Sequence, residues 1–306
     1  MSRIYDALQR ADLERQAAQG KDAPENPEPY FESGPEDLPP IEAGVSLENT
    51  VLHSWKPSLV SLPTLGDRGE SIEQFRALRS QIYQFRDQNP LKTILVSSGM
   101  PAEGKTYVVA NLAVSLARNR NNTVLLIDAD LRRPALHAIL GAPSAPGLTE
   151  YLAGTAEVTD ILQRNENPRI VEGGVTRGIP DLAFIPAGAG GDNSSELVAN
   201  HRIEELVAAL SPHFDWILID SPPVLAFADA IDVARAADAV LLVARGAATP
   251  YDVAQRAQAA FSNSRILGFV LNAVKDVPIN SAYSYYYGKQ EAGSRMYGRK
   301  DTRRQG

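Results

Sequence analysis

Thr93-Ile-Leu-Val-Ser-Ser-Gly99-Met-Pro-Ala-Glu-Gly104-Lys105-Thr106 is an apolar run, a glycine-bounded loop and the opening of a new segment. The run from Thr93 to Ser97 is rich in Val, Ile and Leu and free of charge, which predicts a strand buried on both faces. Beyond the loop, Val109, Leu112, Ala113 and Leu116 form one stripe and predict a helix over 105–118. A G-x-x-x-x-G-K-T string between a strand and a helix is the context in which that pattern binds phosphate. Gly99 and Gly104 let the backbone curl until its N–H groups face phosphate oxygens, and the helix N-terminus adds partial positive charge. Lys105 is then placed to bridge β- and γ-phosphates, and the Thr106 hydroxyl to ligate Mg²⁺. Glu103 and Tyr107 complete the stretch expected at the nucleotide.

Outward from this loop, apolar runs alternate with helical patterns. Further strands are predicted at 123–127, 182–186, 216–219, 239–243 and 266–271, with helices at 195–210 and 251–261. Continuous Val/Ile/Leu strands joined by helices predict an α/β fold, a doubly wound and mostly parallel sheet with helices on both faces. Ligands of such sheets sit at the carboxyl ends of the strands, where the loop falls.

Two more strands end there in acid. Trp216-Ile-Leu-Ile-Asp220-Ser-Pro-Pro223 presents Asp220, which the prolines make an unsuitable helix cap and which is expected to hold the metal. Leu125-Leu-Ile-Asp128-Ala-Asp130-Leu-Arg132 presents two carboxylates more than such a site needs. Extra acid beside a triphosphate costs electrostatic energy unless a metal or a proton transfer uses it. One division puts Asp128 at the γ-phosphate and metal as proton acceptor, with Asp130 orienting Arg132 or supporting the metal shell. Alternatively Arg132 and Arg133 serve only as surface ion pairs. Asn272, closing the last strand, reads either as an adenine contact or as a loop cap, and Asp229 is equally open between site and helix cap.

Composition bounds the rest. The chain has 306 residues, 44% of them hydrophobic, a net charge of −7 and no cysteine. That charge gives no general attraction to nucleic acid, and none is expected as a partner. Met1–Gln16 lacks the apolar stretch of a signal peptide, and Ala239–Ala244 falls far short of the ~20 residues of a span. A cytoplasmic protein is expected, meeting a membrane through a partner. Ile4, Leu8 and Ala11 mark a short helix within 1–20; 21–57 reads as an acidic, Pro-rich flexible linker, 58–280 as the catalytic domain and 281–306 as a tail. Tyr283, Tyr285, Tyr286, Tyr287 and Tyr297 crowd that tail among Ser, Gly, Lys and Gln, which suits an accessible peptide better than a core.

Taken together, these residues resemble the bacterial tyrosine kinases, autophosphorylating P-loop kinases of capsule and exopolysaccharide export. That family combines a P-loop, an apolar-D-x-D-x-R motif and an apolar-D-x-x-P motif, standing here at 99–106, 125–132 and 217–222. Partition ATPases of the wider superfamily carry a second lysine where this chain has Met100. The resemblance implies ATP and Mg²⁺ as cofactors and the tail tyrosines as phosphate acceptors. It also implies a ring of subunits joined through the E-x-x-R-x-x-R helix, here Glu73, Arg76 and Arg79, whose generic reading is an exposed ion-paired helix. Implied partners are a membrane-embedded chain-length regulator and a cognate tyrosine phosphatase. A non-kinase ATP switch that drives assembly on a membrane partner is the alternative.

Overall fold

The computed structural model describes residues 50–274, apart from 67–68, 120–121, 167–170, 173–174, 177–178, 180 and 191–193. The expected N-terminal helix, most of the acidic linker and the tyrosine-rich tail lie outside the described residues. In chain order the strands are β1 (Val51–His53), β2 (Thr93–Ser98), β3 (Val124–Asp128), β4 (Gln163–Asn165), β5 (Val171–Glu172), β6 (Val175–Thr176), β7 (Leu182–Ile185), β8 (Trp216–Asp220), β9 (Ala239–Arg245) and β10 (Ile266–Asn272). The helices are α1 (Glu70–Gln88), α2 (Lys105–Ala117), α3 (Leu136–Leu140), α4 (Leu148–Leu152), α5 (Val158–Ile161), α6 (Ser194–Val198), α7 (Arg202–Leu210), α8 (Asp229–Ala234) and α9 (Tyr251–Ala260).

Eight strands form one sheet in the order β1-β4-β7-β3-β8-β2-β9-β10. The six from β7 to β10 run parallel, and β4 meets β7 antiparallel. Alternation divides the apolar strands between two cores, since successive side chains point to opposite faces. Leu95, Leu125, Ile127, Ile217 and Ile219 face α4, α7, α8 and α9, whereas Ile94, Val96, Val124, Leu126 and Leu218 face α1, α2 and α3. From Val108 to Ala117 every residue of α2 is buried, because the helix is enclosed between the sheet and α1. Among the described residues no helix is long and apolar enough to cross a membrane.

Two expectations are corrected, and one strand was not foreseen. Residues 51–57 belong with the sheet rather than the linker: β1 pairs with β4 in parallel, and Trp55 is buried edge-on against Phe184. The helix expected over 195–210 is two helices, α6 and α7, broken where His201 takes a left-handed conformation with φ of 60°. A polar segment, Gln163-Arg-Asn165, forms the internal strand β4 without any apolar run, as Asn165 accepts the Trp55 N–H at 3.2 Å.

Candidate active site

The phosphate loop hangs between β2 and α2, and glycine is required at Gly104 and fits closely at Gly99. Gly104 sits at φ of 95°, and a Cβ there would lie 2.0 Å from the Asn272 amide nitrogen. A Cβ on Gly99 would press on Val253 and Ala257 of α9 at 3.2 and 3.3 Å. Strand β8 leads into a segment that lies along the loop's entry, with Val224 N–H bonded to the Ser98 carbonyl at 2.8 Å.

Parallel pairing then brings the acids together. Asp128 is opposite Asp220 in register, since β3 and β8 are neighbours. Lys105 Nζ donates to Asp130 Oδ2 at 2.8 Å and stands 3.9 Å from Asp220 Oδ1. Asp128, Asp130 and Asp220 are all buried. Three carboxylates therefore share one ammonium in a dry site, and the electrostatics follow. Burial works against a charged Lys105, but Asp220, Asp130 and Asp128 outweigh it and raise its pKa above the ordinary value. Burial, with Asp220 as the next cause, pushes Asp128 up to about 8. Burial, opposed by Lys105, leaves Asp220 at about 6.

Of the two roles expected for Asp130, orienting Arg132 is not what the structure shows. Asp130 faces Lys105 rather than Arg132. Asp128 accepts backbone N–H groups on both oxygens, from Asp130 on Oδ1 and from Ala135 and Leu136 on Oδ2, so it also caps α3. Arg132 donates from Nε to Asp229 at 2.8 Å and lies over the Phe227 ring, 4.5 Å from its centroid. Asp229 was open between two roles on sequence grounds; it belongs to this pair. Asn272 donates to the Glu103 carbonyl at 3.0 Å, which is the loop-capping role. The Tyr107 ring packs against Phe75 of α1, centroids 6.0 Å apart, leaving its backbone N–H in the first turn of α2 as its link to the loop.

The interface trio separates as well. Glu73 and Arg76 pair along the exposed side of α1, but Arg79 donates to the Ser115 carbonyl at 2.6 Å near the end of α2. Sequence reading missed Arg245 and Thr249, which touch the loop from the turn after β9. No motif marks them, because contact across a parallel sheet leaves no spacing to read.

The donor set suits Mg²⁺. Neither carboxylate oxygen of buried Asp220 has a hydrogen-bond partner, and the site carries more negative than positive charge. Mg²⁺ takes one or two protein oxygens and fills its octahedron with water and phosphate, so Thr106 and Asp220 are enough.

Comparison with known proteins places the chain in a family. A model of the AAA domain matches residues 91–251, which span the loop and both acidic motifs. The chain is 31% identical to tyrosine-protein kinase YwqD of Bacillus subtilis over 216 residues, covering 70% of this chain and 85% of YwqD. It is 32% identical to tyrosine-protein kinase Wzc of Salmonella typhimurium over 227 residues, 74% of this chain but 29% of Wzc, so it spans under a third of that relative. Among solved structures, the kinase domain of the Escherichia coli tyrosine kinase ETK matches with a TM-score of 0.57 and 29% identity over 68% of this chain and 79% of that one. On the P-loop fold, the extra acidic strand end and this likeness, the chain belongs to the bacterial tyrosine-protein kinase family.

Proposed function

We propose that the protein is an ATP-dependent tyrosine autokinase of a capsule or exopolysaccharide system. It would transfer the γ-phosphoryl group of ATP to the tyrosines of its own C-terminal segment. One observation carries the reading: Lys105 stands between Asp130 and Asp220, with Asp128 in register beside Asp220. A metal needs one of these acids, the doublet offers a second function beside it, and the curated relatives YwqD and Wzc are named tyrosine-protein kinases. In transfer, the phenolic oxygen forms the new bond to phosphorus, the bond to the β-phosphate oxygen breaks, and ADP leaves. Lys105 turns from Asp130 to the β- and γ-phosphoryl oxygens. Thr106 and Asp220 would hold Mg²⁺, which would supply screening of the phosphate charge. Asp128 receives the phenol proton, and Asp130 holds Lys105 in the site until the nucleotide takes it. Gly99, Gly104 and the first N–H groups of α2 cradle the phosphates, while Arg132, anchored by Asp229, fixes the 128–133 turn over them.

The acceptors are Tyr283, Tyr285, Tyr286, Tyr287 and Tyr297. Recruitment to the inner face of the cell membrane by a membrane-embedded chain-length regulator, and reversal by a tyrosine phosphatase, complete the proposed cycle. Glu73 and Arg76, both on the exposed side of α1, are available to a neighbouring subunit in a ring, and Arg79 supports them from within. Lys105→Met is expected to abolish phosphotyrosine formation from MgATP while leaving every tail tyrosine in place. Undiminished labelling in that variant would show that the reaction is run elsewhere.

A further inference from the structure

Glu103 is an odd residue to find where phosphates must be held. Its carboxylate is almost wholly buried beside Gly104, and a free negative charge there would repel a triphosphate. It is not free. Oε2 accepts the Met100 N–H within the loop at 2.7 Å, and Oε1 accepts the hydroxyl of Thr249. Thr249 must be the donor in that pair, because a carboxylate only accepts, and its oxygen also accepts the Arg245 backbone N–H at 2.8 Å. The same turn reaches the loop a second time, through Arg245 Nη1 to the Ala102 carbonyl at 3.1 Å. Ala102 is itself in the left-handed region, φ of 64°, a conformation unfavourable for an alanine that such a bond helps to hold.

We propose that Thr249 is a positioning residue for ATP binding. Its hydroxyl fixes the Glu103 carboxylate, so that the acid braces the phosphate loop instead of turning toward the phosphates. The turn between β9 and α9 thereby sets the affinity of a site to which it contributes no direct phosphate contact. This rests on the reading of 99–106 as the triphosphate site.

Thr249→Val keeps the shape and removes the hydroxyl; Thr249→Ser keeps the hydroxyl. Titration calorimetry of the full chain with MgATP is expected to give a Kd raised about tenfold for Thr249→Val, the scale of one charge-assisted hydrogen bond. Thr249→Ser should stay within about twofold of the unaltered protein. In a Glu103→Gln background, where the charge is gone, Thr249→Val should add no further loss, since the two residues act through one bond. Equal affinity for Thr249→Val and the unaltered protein overturns the proposal. So does an equal loss in both backgrounds, which would mean that Thr249 acts without Glu103. If the unaltered protein binds no MgATP, the triphosphate reading itself falls and takes this inference with it.

Discussion

Asp128 accepts three backbone N–H groups, yet burial and its acidic neighbours raise its proton affinity. Its carboxyl titrates at about 8 in the folded chain against an ordinary 3.8, and Asp220 shifts the same way, to about 6. A folded state that binds protons more tightly than the unfolded one loses stability as pH rises between the two values. Without Mg²⁺ and nucleotide, the melting temperature is therefore expected to fall from about pH 5 to about pH 8, and Asp128→Asn should flatten the fall. A melting temperature that climbs across that interval, or an unchanged slope in the variant, contradicts the electrostatic picture. At this scale the sequence revealed which residues gather but not how they pair. Lys105 was legible from the phosphate loop, and Asp128, Asp130 and Asp220 from strand ends. That Asp130 takes Lys105 and Arg132 takes Asp229 depends on turn geometry after β3, which spacing does not encode.

Helix α2 shows how the elements are locked. Asn111 is fully buried in its middle and would be a poor choice there unless every polar atom were used. It donates to the carbonyls of Ser61 and Tyr107, both at 2.9 Å, and accepts from Thr64 N–H and hydroxyl. The segment before α1 is thus pinned to the helix that carries the phosphate loop. Asn111→Ala strands the Thr64 donors in an apolar setting and should cost about 2–3 kcal/mol in denaturant unfolding. A loss under about 0.5 kcal/mol would mean that the segment is held by packing alone. The parallel strands were readable because both their faces are buried and their composition is uniformly apolar. Strands β1 and β4 were not, since β1 is an exposed edge strand of three residues and β4 is polar throughout. Leu52, 62% exposed, carries no burial signal to detect.

On the scale of the whole molecule, fold and family were carried by the P-loop and two acidic strand ends; the acceptor depends on the tail. From Ser281 to Gly306, which includes all five tyrosines, there are six Lys and Arg (Lys289, Arg295, Arg299, Lys300, Arg303, Arg304) against two acids, Glu291 and Asp301. Five phosphotyrosines would add roughly −8 to −10 and reverse the sign of this segment. An extended chain advances at most about 3.5 Å per residue, so Tyr297 could lie some 50–60 Å beyond Asn280, within reach of its own site or a neighbour's. The central claim is that a phenol, not water, takes the terminal phosphate from the site around Lys105. Its most direct test is the intact mass of the full chain after incubation with MgATP, followed by peptide mapping. The account predicts successive phosphate additions confined to the 281–306 segment; inorganic phosphate released from a chain of unchanged mass would contradict it.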